Sequence, residues 1–255
     1  EDRVMSGLVH YTVTESVATI ALNRPHRRNA LVNELLNELG QYLDLAINNP
    51  DVRVIVVTGE GGAFCSGLDL AVVDPDHDDL GVLLEERYRP IIERLAECPK
   101  VTIAALNGPA AGAGASLMMA CDLVIAMETA FIQLAFVNIG LIPDAGATWF
   151  LPRMIGTKSA LAWALTGDRI SAHDARASGL VYDVYPDVDF AAESSALARR
   201  VALKSPTACR SIKEALRASL TNDLATQFSI EEKAQSELGR SVDFKSAVET
   251  FLKKR

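Results

Sequence analysis

Cysteine, histidine and aromatic residues are all scarce in this chain of 255 residues. The four cysteines, Cys65, Cys98, Cys121 and Cys209, form no C-x-x-C pair. None stands at metal-ligand spacing from His10, His26, His77 or His173, so no metal centre is expected. They read as reduced thiols of a cytoplasmic protein. Long apolar runs are missing too. Nowhere do about 18 uncharged apolar residues follow one another, so no membrane-spanning helix is expected. The opening Glu1-Asp2-Arg3 has no apolar h-region, and no secretory signal is visible. Positive charge is in the minority, 25 Lys and Arg against 33 Asp and Glu, for a net charge of −8. Nucleic-acid binding needs a basic face to neutralise phosphates, which this balance disfavours. A small basic pocket for a phosphorylated cofactor remains compatible with it.

What is abundant is apolar residue, 49% of the chain, enough to bury a substantial core. Leu8 to Val13 and Val17 to Leu22 alternate around Glu15-Ser16 and read as a β-hairpin. Leu31, Leu35, Leu36, Leu39, Leu43 and Ala46 recur at helical spacing. Val52 to Thr58 is a β-branched run ending at Gly59, hence a buried strand. Leu83 to Ala96 reads as a helix stopping near Pro99. Val101 to Leu106 and Leu123 to Ala126 are further strands. Strands alternating with helices imply an α/β chain with crossover connections. Near residue 190 the pattern becomes almost purely helical, with breaks near Pro206 and Asn222. The expected organisation is an α/β core over 1–190 and a helical region over 191–255. The stretches 218–236 and 244–252 are amphipathic, suited to capping the core or to packing between subunits.

Two glycine-rich segments follow buried strands. The first runs Gly61-Gly62-Ala63-Phe64-Cys65-Ser66-Gly67-Leu68-Asp69-Leu70. Glycines there permit a tight turn, or let the backbone approach a ligand and present its N–H groups. The second runs from Asn107-Gly108-Pro109 through Gly112-Ala113-Gly114-Ala115-Ser116 to Cys121-Asp122. Leu117 breaks a dinucleotide-binding fingerprint, and Met118 breaks a nucleophile elbow around Ser116. Two readings remain open, close packing of small residues and a pair of N–H donors converging on one oxygen.

With these residues in order, the chain resembles the crotonase, or enoyl-CoA hydratase/isomerase, superfamily. Ile20 to Pro25 with Asn29-Ala30-Leu31 is similar to that family's opening motif. The two glycine segments resemble its two oxyanion loops, and Ile139 to Thr148 resembles its catalytic turn. Leu165-Thr166-Gly167, Ala172, Ala175, Gly179-Leu180-Val181 and the final Phe251 to Arg255 continue the register. The resemblance implies a spiral of β-β-α units with a helical C-terminal trimerisation region, as a homotrimer or homohexamer. It implies an acyl-CoA thioester as substrate, with CoA carried by the substrate and no separate cofactor. The backbone N–H groups of Leu68 and Ala113 would hold the thioester oxygen, with Gly67 and Gly112 beside them. Arg24, Arg27 and Arg28 fall where the family places the nucleotide end of CoA, and Lys254 falls where it often supplies a basic residue from a neighbouring subunit. The backbone between Cys65 and Leu68, through Ser66 and Gly67, would bracket adenine and pantetheine, and Asp69 and Leu70 would also contact the substrate or its CoA. The loop over 71–81 and Phe136 would shape the acyl pocket.

One departure matters. The two glutamates of typical hydratases fall at Ser116 and Phe136, and neither is a carboxylate. Water addition uses one group to orient water and another to deliver a proton to carbon, so hydratase chemistry would need an atypical site. Asp144, in Ile142-Pro143-Asp144-Ala145-Gly146, is the carboxylate on offer. It resembles the aspartate of ring-isomerising enzymes of phenylacetyl-CoA breakdown more than that of dienoyl-CoA isomerases or aromatic acyl-CoA dehalogenases. As a residue alone it is also a good N-cap for the apolar run from Ala147. Among Phe136, Val137, Ile142 and Trp149 its pKa would rise. The expectation is a double-bond isomerase with Asp144 as single proton shuttle. The alternatives are an atypical hydratase, which is a lyase, or a catalytically silent CoA-binding relative. A dehalogenase would need a histidine, for which the only nearby residue in sequence is His77. Ser116 is a small helix residue able to hydrogen-bond a substrate oxygen or a water.

Overall fold

The computed structural model describes residues 3–4 and 7–253; Lys254 lies outside them. Its contacts divide the chain into one unit over Glu1–Val201 and another over Ala202–Arg255.

The first unit is built on a seven-stranded sheet of order β1-β2-β3-β4-β5-β7-β10. Its strands are β1 (Arg3–Val4), β2 (Val9–Thr14), β3 (Val17–Leu22), β4 (Val54–Gly59), β5 (Val101–Leu106), β7 (Leu123–Met127) and β10 (Asp183–Tyr185). A second, three-stranded sheet joins β6 (Ala110–Ala111), β8 (Phe131–Gln133) and β9 (Arg169–Ser171). The expected hairpin is present: β2 pairs antiparallel with β3 from Val9–Leu22 to Thr14–Val17. Glu15 and Ser16 both have positive φ, as a tight hairpin turn requires. From β3 onward the large sheet is parallel. Parallel strands are covered on both faces, which is why β4 and β5 are apolar runs rather than alternating ones.

Helices cross between the strands. They are α1 (Asn33–Asn48), α2 (Leu80–Leu83), α3 (Arg89–Ala96), α4 (Ala113–Met119), α5 (Ala147–Ile155), α6 (Thr157–Thr166), α7 (Ala172–Ala177) and α8 (Phe190–Ala202). The stripe Leu35, Leu36, Leu39, Leu43 and Ala46 of α1 is buried as its spacing predicts. The helix expected from Leu83 begins earlier, at Leu80, where the Asp79 carboxylate accepts from the N–H groups of Gly81 and Val82. It also carries a π-helical turn over Leu84–Tyr88, closed by Arg89 N–H donating to the Leu84 carbonyl five residues back. Pro90 follows at once and has no N–H to continue the ordinary ladder.

The second unit holds α9 (Pro206–Ala218), α10 (Leu224–Leu238) and α11 (Val242–Lys253). The interruptions fall near Pro206 and Asn222 as read, with a third at 239–241. The Ser205 and Asp223 side chains cap α9 and α10. None of the three helices has a buried residue, and Ile212, Leu216, Leu224 and Phe228 are all exposed. No described helix is long and apolar enough to cross a membrane.

Candidate active site

The two glycine segments meet. Gly114 packs its Cα against the Cys65 carbonyl so closely that a Cβ would overlap it, and Gly67 makes a matching approach. With φ of +87°, Gly67 would place a Cβ 2.9 Å from the Ala111 oxygen and 3.0 Å from the Ala113 nitrogen. Asn29, fully buried at φ +56°, ties the first segment down: its Nδ2 donates to the Glu60 and Ala63 carbonyls. Asn107 does the same from the end of β5, donating to the Gly59 and Gly61 carbonyls.

An accounting of backbone N–H groups isolates the donors that remain. Phe64 and Cys65 donate to the Pro109 carbonyl, Ser66 to Arg28, Asp69 to Leu31, Ala111 to Cys65 and Gly112 to Gln133. Gly67 N–H lies 3.5 Å from Cys65 Sγ. Leu68 is passed over in this pattern, and Ala113 is the first residue of α4, with no carbonyl a turn behind it. Among the described residues neither N–H has a protein acceptor. Both residues line one cavity of about 150 Å³.

Asp144 lines that cavity as well. The residue as a whole is part-exposed, yet its Oδ1 is buried and meets no hydrogen-bond partner. Burial is the main cause that pushes its carboxyl up from 3.8 to about 6, against a smaller opposing bond from its own backbone. The turn around it is unusual: Ala145, with φ of +48°, is a left-handed non-glycine residue, and Gly146 follows at +83°. Ser116, fully buried, donates from Oγ to the Asp144 backbone oxygen at 2.8 Å. Asp144 does not cap α5. That position belongs to Gly146, and only the Asp144 backbone carbonyl receives a bond, from Ala147 N–H.

The walls are only partly those expected. Phe136 is buried and lines the cavity, whereas Val137, Ile142 and Trp149 are exposed outside its lining. Leu83, Leu84, Tyr88 and Leu141 take their place. Leu84 and Tyr88 stand four apart in a charged stretch, a spacing that marks a shared inward face. That was the available signal for Tyr88. Its hydroxyl is buried without a partner, and burial, with smaller contributions from Cys65 and Asp144, pushes its pKa up.

The remaining expected site residues divide by geometry. Ser66, Leu68, Leu70, Gly112, Ala113, Phe136 and Asp144 share the cavity. Ser116 stands behind it, bonded to Asp144 rather than open to a substrate oxygen. Arg24 is not a free phosphate ligand, because its guanidinium is engaged by Asp69 at 3.0 Å and by the Ala30 carbonyl. Asp69 is the partner in that pair and also accepts from Ala71 N–H, so its carboxyl titrates below the usual range, chiefly through Arg24. The Cys65 backbone is engaged on both sides, and burial raises its thiol to about 12. Arg27 and Arg28 are exposed, and both backbone carbonyls accept from Ser66. His77 is exposed and bonded to Asp74, apart from the Asp144 cavity.

Two unpaired amides and a part-buried carboxyl, on residues that line one cavity of an α/β core, are an arrangement able to hold a carbonyl oxygen and exchange a proton beside it. Comparison supplies the family. The Enoyl-CoA hydratase/isomerase family profile matches residues 12–255. A probable enoyl-CoA hydratase of Rhodobacter capsulatus is 42% identical over 247 residues, covering 97% of this chain and 95% of that protein. The 1,2-epoxyphenylacetyl-CoA isomerase of Escherichia coli K12 is 40% identical over 247 residues, covering 95% and 94%. The crystal structure of enoyl-CoA hydratase from Bacillus anthracis superposes with a TM-score of 0.91 at 33% identity, covering 98% and 97%. The chain belongs to the enoyl-CoA hydratase/isomerase family and has the crotonase fold.

Proposed function

We propose that this acyl-CoA enzyme is an isomerase that moves a carbon–carbon double bond, with Asp144 as its single proton shuttle. The Asp144 carboxylate takes a proton from an acyl carbon, and the electron pair moves through the conjugated system onto the thioester oxygen. The Leu68 and Ala113 amides stabilise that enolate oxygen. The carboxylic acid returns the proton at another carbon, the pair returns to form the shifted double bond, and no co-reactant is needed. The observation that carries this reading is Asp144, whose Oδ1 is buried and unpartnered, on the wall of the cavity that Leu68 and Ala113 also line. A carboxyl held near 6 exchanges protons readily in either direction at neutral pH. Arg27 and Arg28 are the cations we assign to the CoA phosphates. The exposed apolar faces of α9 and α10 suit association into a trimer or hexamer, in the cytoplasm.

The test is proton exchange into acyl carbons in heavy water, across saturated and unsaturated acyl-CoAs, for wild type and Asp144→Asn. Exchange present in wild type and lost in the variant is the expected result. No exchange on any thioester that binds overturns the reading in favour of a silent CoA-binding relative.

A hydratase is the second reading, favoured by the Tyr88 hydroxyl. Tyr88 lines the cavity with Asp144 and carries a second buried polar atom without a partner, a group of the kind that orients a water. Net addition of water to an enoyl-CoA, followed by loss of 2-enoyl absorbance, separates it from isomerisation.

A further inference from the structure

Two short hydrogen bonds beside the first glycine segment run end to end. The Arg24 guanidinium donates from Nη1 to the Ala30 carbonyl at 2.6 Å. Leu31 N–H donates to the Gly67 carbonyl at 2.7 Å. A trans peptide is planar and points its C=O and N–H in opposite directions. Ala30 C=O and Leu31 N–H belong to one such unit, and Gly67 C=O and Leu68 N–H belong to another. The bonds therefore form a line from the guanidinium through two peptide planes. It ends at the Leu68 N–H, which has no protein acceptor among the described residues.

The line is gripped on both sides. Leu31 and Leu68 make an isolated parallel bridge, in which Asp69 N–H donates back to the Leu31 carbonyl at 3.0 Å. The second guanidinium arm, Nη2, bonds Asp69 Oδ2 at 3.0 Å, and Asp69 Oδ1 accepts from Ala71 N–H. Arg24 thus holds the residue before Leu31 and the residue after Leu68. Only a rigid planar fork reaches two such acceptors together. The backbone of Arg24 is itself fixed, because its N–H donates to Oδ1 of the fully buried Asn29 at 2.8 Å. The Arg24–Asp69 pair is largely enclosed, so water screens it little. Hydrogen bonds in series polarise one another, and a cation at one end strengthens the donor at the other.

We infer that Arg24 is a positioning residue for the carbonyl-binding amide: through the Ala30–Leu31 and Gly67–Leu68 peptides it aims and polarises the Leu68 N–H, and it does not hold the CoA phosphates. The inference rests on the acyl-CoA reading of the cavity, with Leu68 as a donor to the thioester oxygen, but not on turnover. It departs from the nucleotide role that the register of the family gives this arginine. A phosphate ligand acts on affinity for the nucleotide end. A residue that aims the amide acts on the thioester carbonyl, whatever lies beyond the pantetheine.

The test compares butanoyl-CoA with butanoyl-pantetheine, which lacks every phosphate, each carrying carbon-13 at the carbonyl. Infrared difference spectra of the bound ligands read the carbonyl stretch, and α-proton exchange at saturation reads the rate. Wild type is expected to lower the stretch of both ligands relative to water. Arg24→Met is expected to give back about half of that shift or more, and to slow exchange about ten-fold or more, equally with both ligands. Arg24→Met combined with Asp69→Asn leaves no carboxylate buried alone, and it carries the same expectation if the single variant does not fold. A loss confined to butanoyl-CoA affinity, absent with butanoyl-pantetheine, would overturn the inference and return Arg24 to the phosphates. So would a wild-type stretch that equals the value in water. A lowered stretch without proton exchange sinks the isomerase reading alone, whereas a stretch and a rate that the variants leave intact sink only the role of Arg24.

Discussion

Ser116 supports Asp144 through the backbone: its Oγ donates at 2.8 Å to the carbonyl of this cavity-lining residue. Ser116 stands where the resemblance places one hydratase glutamate, at the third position after Ala113. In this chain that position serves the turn rather than the substrate. The bond counters the strain of a turn in which Ala145 adopts a left-handed conformation.

Ser116→Ala is therefore expected to act on geometry. Removing a fully buried donor leaves the Asp144 carbonyl with only the Ala147 N–H, at a cost of about 0.5–1.5 kcal/mol in stability. Proton exchange should slow roughly ten-fold through kcat, because displacement of a catalytic group by about 1 Å is enough for losses of this order or more. Ser116→Thr, which keeps the hydroxyl, should recover part of the rate if the cavity behind α4 accepts the methyl. Thermal melts and separate kcat and KM values check this. An effect confined to KM would contradict it.

The Asp144 carboxyl predicts a pH dependence with a definite sign. The base form is the carboxylate, so exchange should rise with pH through about 6 and then level off. A profile of kcat/KM against pH measures it, and an inflection near 4 would mean the carboxyl is not held in the apolar site.

Stability should run the opposite way. The folded pKa is raised, so the fold prefers the protonated acid. Its contribution is fully present below 3.8 and is lost as pH rises through about 6. Asp144→Asn should then be more stable than wild type at pH 8, by on the order of 1–3 kcal/mol after discounting for partial exposure. That advantage should vanish below pH 4. Denaturant titrations at both pH values would show it.

Gly67→Ala is expected to lose thioester binding. A Cβ there meets backbone atoms of Ala111 and Ala113 at 2.9 and 3.0 Å, and the residue also needs a φ that alanine rarely adopts. The two segments must separate, and with them the Leu68 and Ala113 amides. Proton exchange should slow by about two orders of magnitude or more in kcat if one of the paired donors is displaced, beyond the weakened thioester binding. Separate kcat measurements and calorimetry on folded protein check both.

Arg24→Ala should behave as a stability variant. The pair with Asp69 is largely enclosed, with side-chain exposures of 13% and 10%. Removing one partner of such a pair costs about 3 kcal/mol. Arg27→Ala and Arg28→Ala, at exposed positions, should leave the melting temperature unchanged and weaken binding of CoA thioesters. A melt unaffected by Arg24→Ala would show that the pair does not hold the first loop.

Much of this site was legible in one dimension because local chemistry is written locally. Apolar runs followed by glycines marked β4 and β5 and the loops after them, and the motif order pointed to the family. Of the nominated residues, Ser66, Leu68, Leu70, Gly112, Ala113, Phe136 and Asp144 line one cavity, drawn from four separate stretches of the chain. Lys254 lies outside the described residues.

What sequence alone determined was the identity of the elements, which follows from periodicity and residue type, and the departure at Ser116 and Phe136, which follows from the register of the family resemblance. Only tertiary structure decided which neighbours Asp144 has. Val137, Ile142 and Trp149 are close in sequence but turn outward, while Leu83, Leu84 and Tyr88 arrive from some 60 residues earlier. It likewise decided that Arg24 faces Asp69 and that Ser116 faces a backbone carbonyl. The physical reason is that burial, and the pairing or orphaning of a polar atom, are properties of the assembled surroundings. A chain encodes them only through contacts between segments that it does not display side by side.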